Sequence, residues 1–256
     1  MSMRNTLALM ALGALPLTTA CGGGEAPKQA APPPTAAAAS AATAAAGTAS
    51  LSGKIAFEGT MPAPERVKLS ADAKCQALHP NGLERRAIEG KDGGLANVLV
   101  YVKSGASGTY PAPADPAVLD QNGCTYVPSV VVMQVGQKLL IRNSDDTLHN
   151  VHPRPAINEE FNIGQPRKGM ESTRSFEKPE IMFPVGCDVH PWMRAFMAVV
   201  PNPFYAVTGE DGTFTIKALP AGDYEIEAAH GKLKTTSGKV TLKDGEAGQL
   251  NLTFKG

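Results

Sequence analysis

The stretch FPVGCDVHPWMRAFMAVV (residues 183–200) decides the fold prediction, because it sets a short loop with metal-binding side chains between two strand-like runs. Cys187, His190 and Met193 follow one another with two residues in each gap. A loop this short aims all three side chains at one point. Thiolate, imidazole and thioether, completed by a second imidazole, are the ligands of a type 1 copper site. The pattern predicts a metal-binding loop carried by a β-sheet.

The second imidazole is found upstream, in RNSDDTLHNVHPRP (residues 142–155), which contains His149 and His152. With this run, residues 120–200 resemble a cupredoxin, an amicyanin- or plastocyanin-like type 1 copper domain. The resemblance implies that His149, the first His of the His-Asn-Val-His run, is the ligand, and that His152 is a structural or exposed residue. It also implies that Asn150 ties the His-bearing segment to the Cys-bearing loop, an arrangement that fixes ligand geometry.

Two further loop residues lie beside the expected ligands. Trp192 stands where the amicyanin loop has Phe, and it would shield the metal or present an apolar contact to a partner. Pro191 has no N–H and would reduce hydrogen bonding around the sulfur. We expect both to lie beside one copper ion that cycles between Cu(I) and Cu(II). The expected ligands of this ion are His149, Cys187 and His190, with Met193 as axial ligand.

A second motif occupies the C-terminal part, VTGEDGTFTIKALPAGDYEIEA (residues 207–228). Its Asp-Gly turn before a strand is a strong hairpin signal. The stretch resembles the carboxypeptidase regulatory-like β-sandwiches, whose first strands look like residues 52–59 and 94–105 here. We therefore predict a regulatory-like sandwich from residues 50–112 and 203–256, split by a Greek-key cupredoxin domain over residues 113–202. Serial domains are the alternative.

The rest of the folded part is predicted to be all-β. Apolar or alternating runs of strand length recur between Gly, Pro, Asp and Asn clusters, and a helical turn or two is expected only near residues 71–79. The predicted strands cover residues 51–57, 96–102, 130–135, 138–142, 196–200, 214–216, 224–228 and 250–254.

The N-terminus reads as a targeting segment. Arg4 precedes a short apolar run and then Ala20 and Cys21, a pattern typical of a secretory signal over residues 1–21. It resembles a bacterial lipoprotein signal, with Thr18 where the usual pattern has Leu, and so implies lipidation of Cys21. Residues 22–49, rich in Ala and Pro, predict a disordered tether. The whole chain resembles bacterial lipoproteins of the methylamine-utilisation-protein-like group, which implies the periplasm or outer cell envelope.

The four cysteines divide among three tasks. Cys21 is assigned to the lipid or lost with the signal, and Cys187 is assigned to copper. Cys75 and Cys124 remain as an even pair in an oxidising compartment, so we predict a disulfide between them. The competing interpretation pairs Cys187 with Cys75 or Cys124, but it leaves the spacing of His190 and Met193 unexplained.

Composition and spacing also bear on function. The formal net charge is zero, so the chain has none of the basic excess that nucleic-acid binding requires. Three strong ligands and an axial Met leave no open position for catalysis, which predicts an electron carrier with a redox partner protein, a dehydrogenase or cytochrome, and membrane attachment by lipid alone. Copper delivery and a non-redox binding module stay open. Asp145 and Asp146 are expected in a solvated turn, and His230 at the surface.

Overall fold

The computed structural model describes residues 46–69 and 72–256. The signal segment, Cys21 and nearly all of the predicted tether lie outside the described residues. The regular secondary structure of the described part is almost entirely β-strand, as the alternating patterns predict. No helix within it has the length and apolar character needed to cross a membrane.

The strands and the single short helix of these residues follow in chain order: β1 (Ala49–Glu58), β2 (Glu65–Val67), α1 (Ala73–Leu78), β3 (Leu83–Arg85), β4 (Leu99–Ser104), β5 (Ala117–Gln121), β6 (Tyr126–Val127), β7 (Val130–Gln134), β8 (Leu139–Asn143), β9 (His149–Pro153), β10 (Ile163–Gln165), β11 (Glu171–Arg174), β12 (Glu180–Gly186), β13 (Arg194–Val200), β14 (Tyr205–Val207), β15 (Thr213–Leu219), β16 (Gly222–Ala229), β17 (Thr236–Leu242), β18 (Ala247–Gln249) and β19 (Leu252–Lys255).

One pair of sheets draws its strands from both ends of the described chain. β1 lies between β15 and β18 and also pairs with β19, while the facing sheet has the order β14-β4-β16-β17. β1 runs antiparallel to β15 and parallel to both β18 and β19. A single core of buried apolar side chains, such as Leu51, Val100, Ile216 and Ile226, fills the space between the sheets. This pairing supports the proposal that residues 113–202 are inserted in a split sandwich.

A second pair of sheets is built from the intervening residues. The five-stranded sheet has the order β10-β9-β12-β13-β7 and the four-stranded sheet the order β11-β8-β5-β6. Buried side chains of both sheets meet in one core, with Leu119 and Ile141 from one sheet and Met133, Val151 and Met197 from the other. The alternation of buried and exposed residues along β8 is the period-2 pattern that places one face of a strand against a core.

A short connection covers one end of this second sandwich. β2 and β3 form a separate antiparallel ribbon, and α1 lies between them in the chain. Asp72 caps the helix by accepting hydrogen bonds from the amides of Lys74 and Cys75, as N-cap Asp residues do. A disulfide joins Cys75 to Cys124, two residues before β6, and so fixes α1 to the second sandwich. We call residues 72–79, with this disulfide, the cap.

Candidate metal centre

The expected ligands come from one strand of the five-stranded sheet and from the loop that follows its neighbouring strand. His149 is the first residue of β9, and Cys187 directly follows β12, which pairs with β9. The loop from Cys187 to Met193 then turns back into β13. Two backbone hydrogen bonds close it, from the Cys187 amide to the Met193 carbonyl at 3.2 Å and from the Met193 amide to the His190 carbonyl at 2.9 Å. The sheet thus fixes both segments from which the donors come.

Three donor atoms converge in the interior. Nδ1 of His149 lies 2.8 Å from Nδ1 of His190, and Sγ of Cys187 lies 3.9 Å from Nδ1 of His190. The three ligand atoms all lie within 4.8 Å of one another, and the three residues are at most 4 % exposed. One thiol and two imidazoles with no carboxylate between them are a donor set that fits copper. The residues therefore fit the ion that the sequence predicts.

Met193 lies in the same buried cluster of apolar side chains as Cys187 and is 1 % exposed. Its position at the end of the loop follows from the two closing hydrogen bonds described above. The axial role of its thioether remains a prediction.

The Cys187 sulfur sits among hydrogen-bond donors. The amides of Asn150 and His190 donate to Sγ at 3.5 and 3.3 Å. Burial raises the pKa of this thiol, but hydrogen bonds from His149, His190 and these two amides outweigh it and lower the pKa from 9.0 to about 6. The site thus favours the thiolate, the form that binds metal. Neither amide is that of Pro191, which has no N–H to donate.

Asn150 connects the two ligand-bearing segments. Its Oδ1 accepts hydrogen bonds from the amide of Asp188 at 2.7 Å and from the thiol of Cys187 at 3.2 Å. Its Nδ2 donates to Oδ1 of Asn162 at 2.6 Å. These contacts hold the start of β9 against the loop after β12.

Both histidines bind a carboxylate on the side away from the convergence point. Nε2 of His149 lies 3.0 Å from Oδ2 of Asp145, and Nε2 of His190 lies 3.1 Å from Oδ2 of Asp72. A partner on the outer nitrogen sets the tautomer and the ring orientation, which leaves the other nitrogen for a metal. The structure thus adds Asp72 and Asp145 to the residues of the candidate site.

The expectation of a solvated turn is wrong for Asp145. Asp145 is 6 % exposed and accepts hydrogen bonds from the amides of Gly123 and Cys124 at 2.8 and 2.7 Å. Burial raises the pKa of this carboxyl, but hydrogen bonds from His149 and the two amides lower it below its usual value. The loop that carries Cys124 folds over Asp145 and excludes water from it. Asp146 is solvated as expected, with an 81 % exposed side chain.

The cap lies directly over His190. Besides the carboxylate of Asp72, Sγ of Cys75 lies 3.9 Å from Nε2 of His190, and this His is 1 % exposed. Trp192 adds an aromatic wall: its ring centroid lies 4.9 Å from that of His190, and its indole N–H donates to the carbonyl of Cys124 at 3.1 Å. The outer edge of His190 is therefore covered by protein.

The remaining histidines stand apart from the donor set. Nε2 of His152 lies 2.6 Å from Glu160 and its Nδ1 lies 3.0 Å from Asp188, in contacts that leave it partly exposed at the rim. Nε2 of His79 lies 2.7 Å from the carbonyl of Gly123. The expectation of a surface position is wrong for His230, which is only 8 % exposed, because β16 carries it into a cleft described below.

Comparisons with known proteins identify similar solved structures only. No family model and no curated protein sequence matches the chain. An amicyanin from Paracoccus versutus (Thiobacillus versutus) is 21% identical over 40% of this chain and 97% of that protein, with a TM-score of 0.31. A purple cupredoxin from Nitrosopumilus maritimus is 20% identical over 33% of this chain and 99% of that protein, with a TM-score of 0.29.

One similar structure belongs to an enzyme. The copper-containing nitrite reductase from Thermus scotoductus SA-01 is 21% identical over 39% of this chain, with a TM-score of 0.29. The match spans only 25% of that enzyme.

Proposed function

We propose that this protein binds one copper ion through His149, Cys187 and His190, with Met193 as axial ligand, and carries single electrons. The observation that supports this most strongly is the convergence of one thiol and two imidazole Nδ1 atoms within 4.8 Å in a buried pocket. When bound, copper would supply the one-electron Cu(I)/Cu(II) couple. The remaining tasks, positioning donors and excluding water, belong to the polypeptide.

The hydrogen bonds that hold the candidate ligands in place favour electron transfer over copper delivery. Asp72 and Asp145 hold the outer nitrogens of both histidines, and Asn150 holds the thiol-bearing loop. Ligands held from outside change position little when the charge of the ion changes. A delivery site needs an accessible ion that can pass to another protein, whereas the three converging residues here are at most 4 % exposed.

The proposed setting is the bacterial periplasm or outer cell envelope, with the chain attached by a lipid on Cys21. The disulfide between Cys75 and Cys124 supports an oxidising compartment, since such bonds rarely persist in a reducing cytosol. The proposed partner is a redox protein, a dehydrogenase or cytochrome, that exchanges one electron at a time.

Copper loading of the purified protein tests this function. We expect one Cu(II) per chain, an intense visible thiolate-to-copper band and the narrow copper hyperfine splitting of a type 1 site in electron paramagnetic resonance. Cys187→Ser and His149→Gln should abolish the band, whereas the matched control His152→Gln should keep it. A stoichiometric Cu(II) complex without visible colour would refute the proposal.

A paired substitution examines the axial ligand. Met193→Leu should shift the visible spectrum and the reduction potential of the copper-loaded protein, because a weak axial donor is lost. Met197→Leu, a similar change in the same buried core but outside the loop, should leave both unchanged. Equal spectra for the two variants would remove Met193 from the ligand set.

A further inference from the structure

A cleft of about 930 Å³ lies beside the loop of the candidate metal centre. Its walls come mainly from four places: β3 with the residues after it, residues 125–130, the loop between β12 and β13 with the adjoining strands, and the turn after β16. Cys187 and Met193 are among its lining residues. Volumes of this size are typical of small-molecule sites.

Cationic side chains dominate the polar lining. The charged lining residues are five cations, Arg85, Arg86, Arg154, Arg194 and Lys232, and three carboxylates, Glu84, Glu89 and Asp188. Asp188 is paired with Arg154, and Glu89 accepts a hydrogen bond from Asn97, so these two carboxylates are already satisfied. Glu84 is exposed and forms no ion pair among the described residues.

Two of the lining cations, Arg85 and Arg194, have no carboxylate partner within the described ranges. In the part of the chain that the structure describes, neither Arg85 nor Arg194 forms an ion pair. Burial lowers the pKa of Arg85 and repulsion from Arg194 lowers it further, against partial compensation by Glu65 and Glu89. Guanidinium groups that line a cleft without a carboxylate partner favour a bound anion.

His230 adds a neutral donor to the same cleft. Its Nδ1 accepts a hydrogen bond from the Lys232 amide at 3.2 Å, so Nε2 carries the proton. Burial lowers its pKa, and Lys232 lowers it further, to about 4, so the imidazole is uncharged at neutral pH. The turn is seated tightly, because a Cβ on Gly231 would lie 2.3 Å from the ring of Phe196.

The rest of the cleft wall is apolar or aromatic. Trp192, Phe196, Met182 and Pro128 line it, and Nζ of Lys232 lies 5.8 Å from the centre of the Phe196 ring. A ligand with a flat apolar body and one anionic group matches both parts of this surface.

We propose that this cleft binds a small organic anion, an aromatic carboxylate or a compound of similar shape, with its charged group toward Arg85 and Arg194 and its ring against Trp192. Cys187 and Met193 line the same cleft, so the bound molecule lies next to the loop that holds the candidate ligands. The proposal goes beyond the proposed electron transfer and does not depend on it, because the cleft is formed by the polypeptide alone.

Titration of the full chain with benzoate tests the site, in metal-free and copper-loaded protein side by side. Trp192 is the one tryptophan of the chain, so its fluorescence in the metal-free protein reports on the cleft wall directly. Calorimetry provides the stoichiometry in both forms. We expect saturable binding of one benzoate in each form. Benzyl alcohol, the uncharged counterpart, should bind at least about tenfold more weakly.

Two variants and one control locate the binding. Arg85→Gln and Arg194→Gln should each weaken benzoate binding about tenfold. Arg167→Gln removes an exposed arginine elsewhere and should leave it unchanged. Circular dichroism checks that each variant is folded. If one cleft variant is unfolded, the benzoate affinity of the other cleft variant decides the test.

Three outcomes would overturn the proposal: no saturable binding of benzoate at millimolar concentrations, equal binding of benzoate and benzyl alcohol, or equal loss in the control and cleft variants. Saturable binding of sulfate but not benzoate would also overturn it, since the site would then recognise only a compact anion. Binding to metal-free protein separates this result from any failure of copper binding.

Discussion

Nε2 of His190 lies 3.1 Å from Oδ2 of Asp72, although 118 residues separate them in the chain. The contact brings the cap onto the outer face of an expected copper ligand. That same carboxylate oxygen accepts a hydrogen bond from the hydroxyl of Thr147 at 2.9 Å, next to the start of β9. Asp72 therefore joins the cap to both segments that supply imidazoles.

Asp72→Asn should weaken copper binding about tenfold, since loss of a carboxylate on a ligating imidazole costs about 10–100-fold in affinity. The visible band should persist, because the ligands themselves remain. Competition with a chelator measures the affinity. Asp146→Asn, at an exposed neighbour of the cap, is the matched control and should bind copper as the wild type does. Equal affinities of the two variants would show that the carboxylate does not support His190.

Removal of the disulfide should destabilise the protein. The bond joins residues 49 positions apart, and closing a loop of that length corresponds to about 4 kcal/mol of chain entropy. We expect the double variant Cys75→Ala/Cys124→Ala to unfold at lower denaturant concentration and to release copper faster to a chelator. Its visible band should remain, because Cys187 is untouched. An unchanged release rate would mean that the cap does not restrict access to His190.

The thiol of Cys187 should titrate near pH 6 in the metal-free protein, since its pKa is lowered from 9.0 to about 6. Thiolate absorbance in the ultraviolet measures this, with Cys187→Ser as the blank. The folded-state pKa lies below the unfolded value, so the stabilisation is fully present above about pH 9 and is lost as pH falls through 6. The unfolding free energy of wild type relative to Cys187→Ser should therefore rise with pH across this window. A midpoint near the ordinary thiol value would contradict the hydrogen-bonded geometry.

Asn150→Ala should lower stability by about 1–3 kcal/mol, because the Asp188 amide loses a buried acceptor and two segments lose their link. In the copper-loaded protein the visible band should also shift, since the loop that carries Cys187 loses its link to the start of β9. Asn162→Ala removes a side-chain partner of Asn150 and of the Asp188 carboxylate but keeps the bond from the Asp188 amide to Asn150, so it should cost less. Urea unfolding and visible spectra compare the two variants, and equal losses would argue against Asn150 as the brace.

Local patterns predict much of the fold. The predicted strand over residues 130–135 corresponds to β7, Val130–Gln134, and the short helix expected near residues 71–79 is α1. Alternation and turn chemistry act over a few residues, so a sequence displays them directly. The four named candidate ligands also follow from local spacing or from resemblance within one stretch.

Long-range contacts are what local patterns do not reveal. Asp72 reads as an ordinary helix N-cap, and nothing near it in the sequence points to His190. Adjacent Asp residues in a turn are usually hydrated, which is why the sequence predicts a solvated Asp145. Its burial depends on the loop of Cys124, which is distant in sequence but bonded to it through two amides. The predicted surface position of His230 is wrong for the same reason, because residues distant in sequence, from β3 and β13, line the cleft around it.

The pairing of β1 with β15, β18 and β19 sets an order of events for a chain that emerges from its N-terminus. Leu51 meets Ile216, Ser52 meets Gln249 and Ile55 meets Leu252, so β1 has none of these strand partners until more than about 150 further residues are available. The sheets of the second sandwich use strands within 117–200 and can assemble earlier. Contacts between distant residues form slowly. The donors around Cys187 can therefore come together while β1 is still unpaired. Until its partners arrive, β1 would be the strand most open to proteases and chaperones.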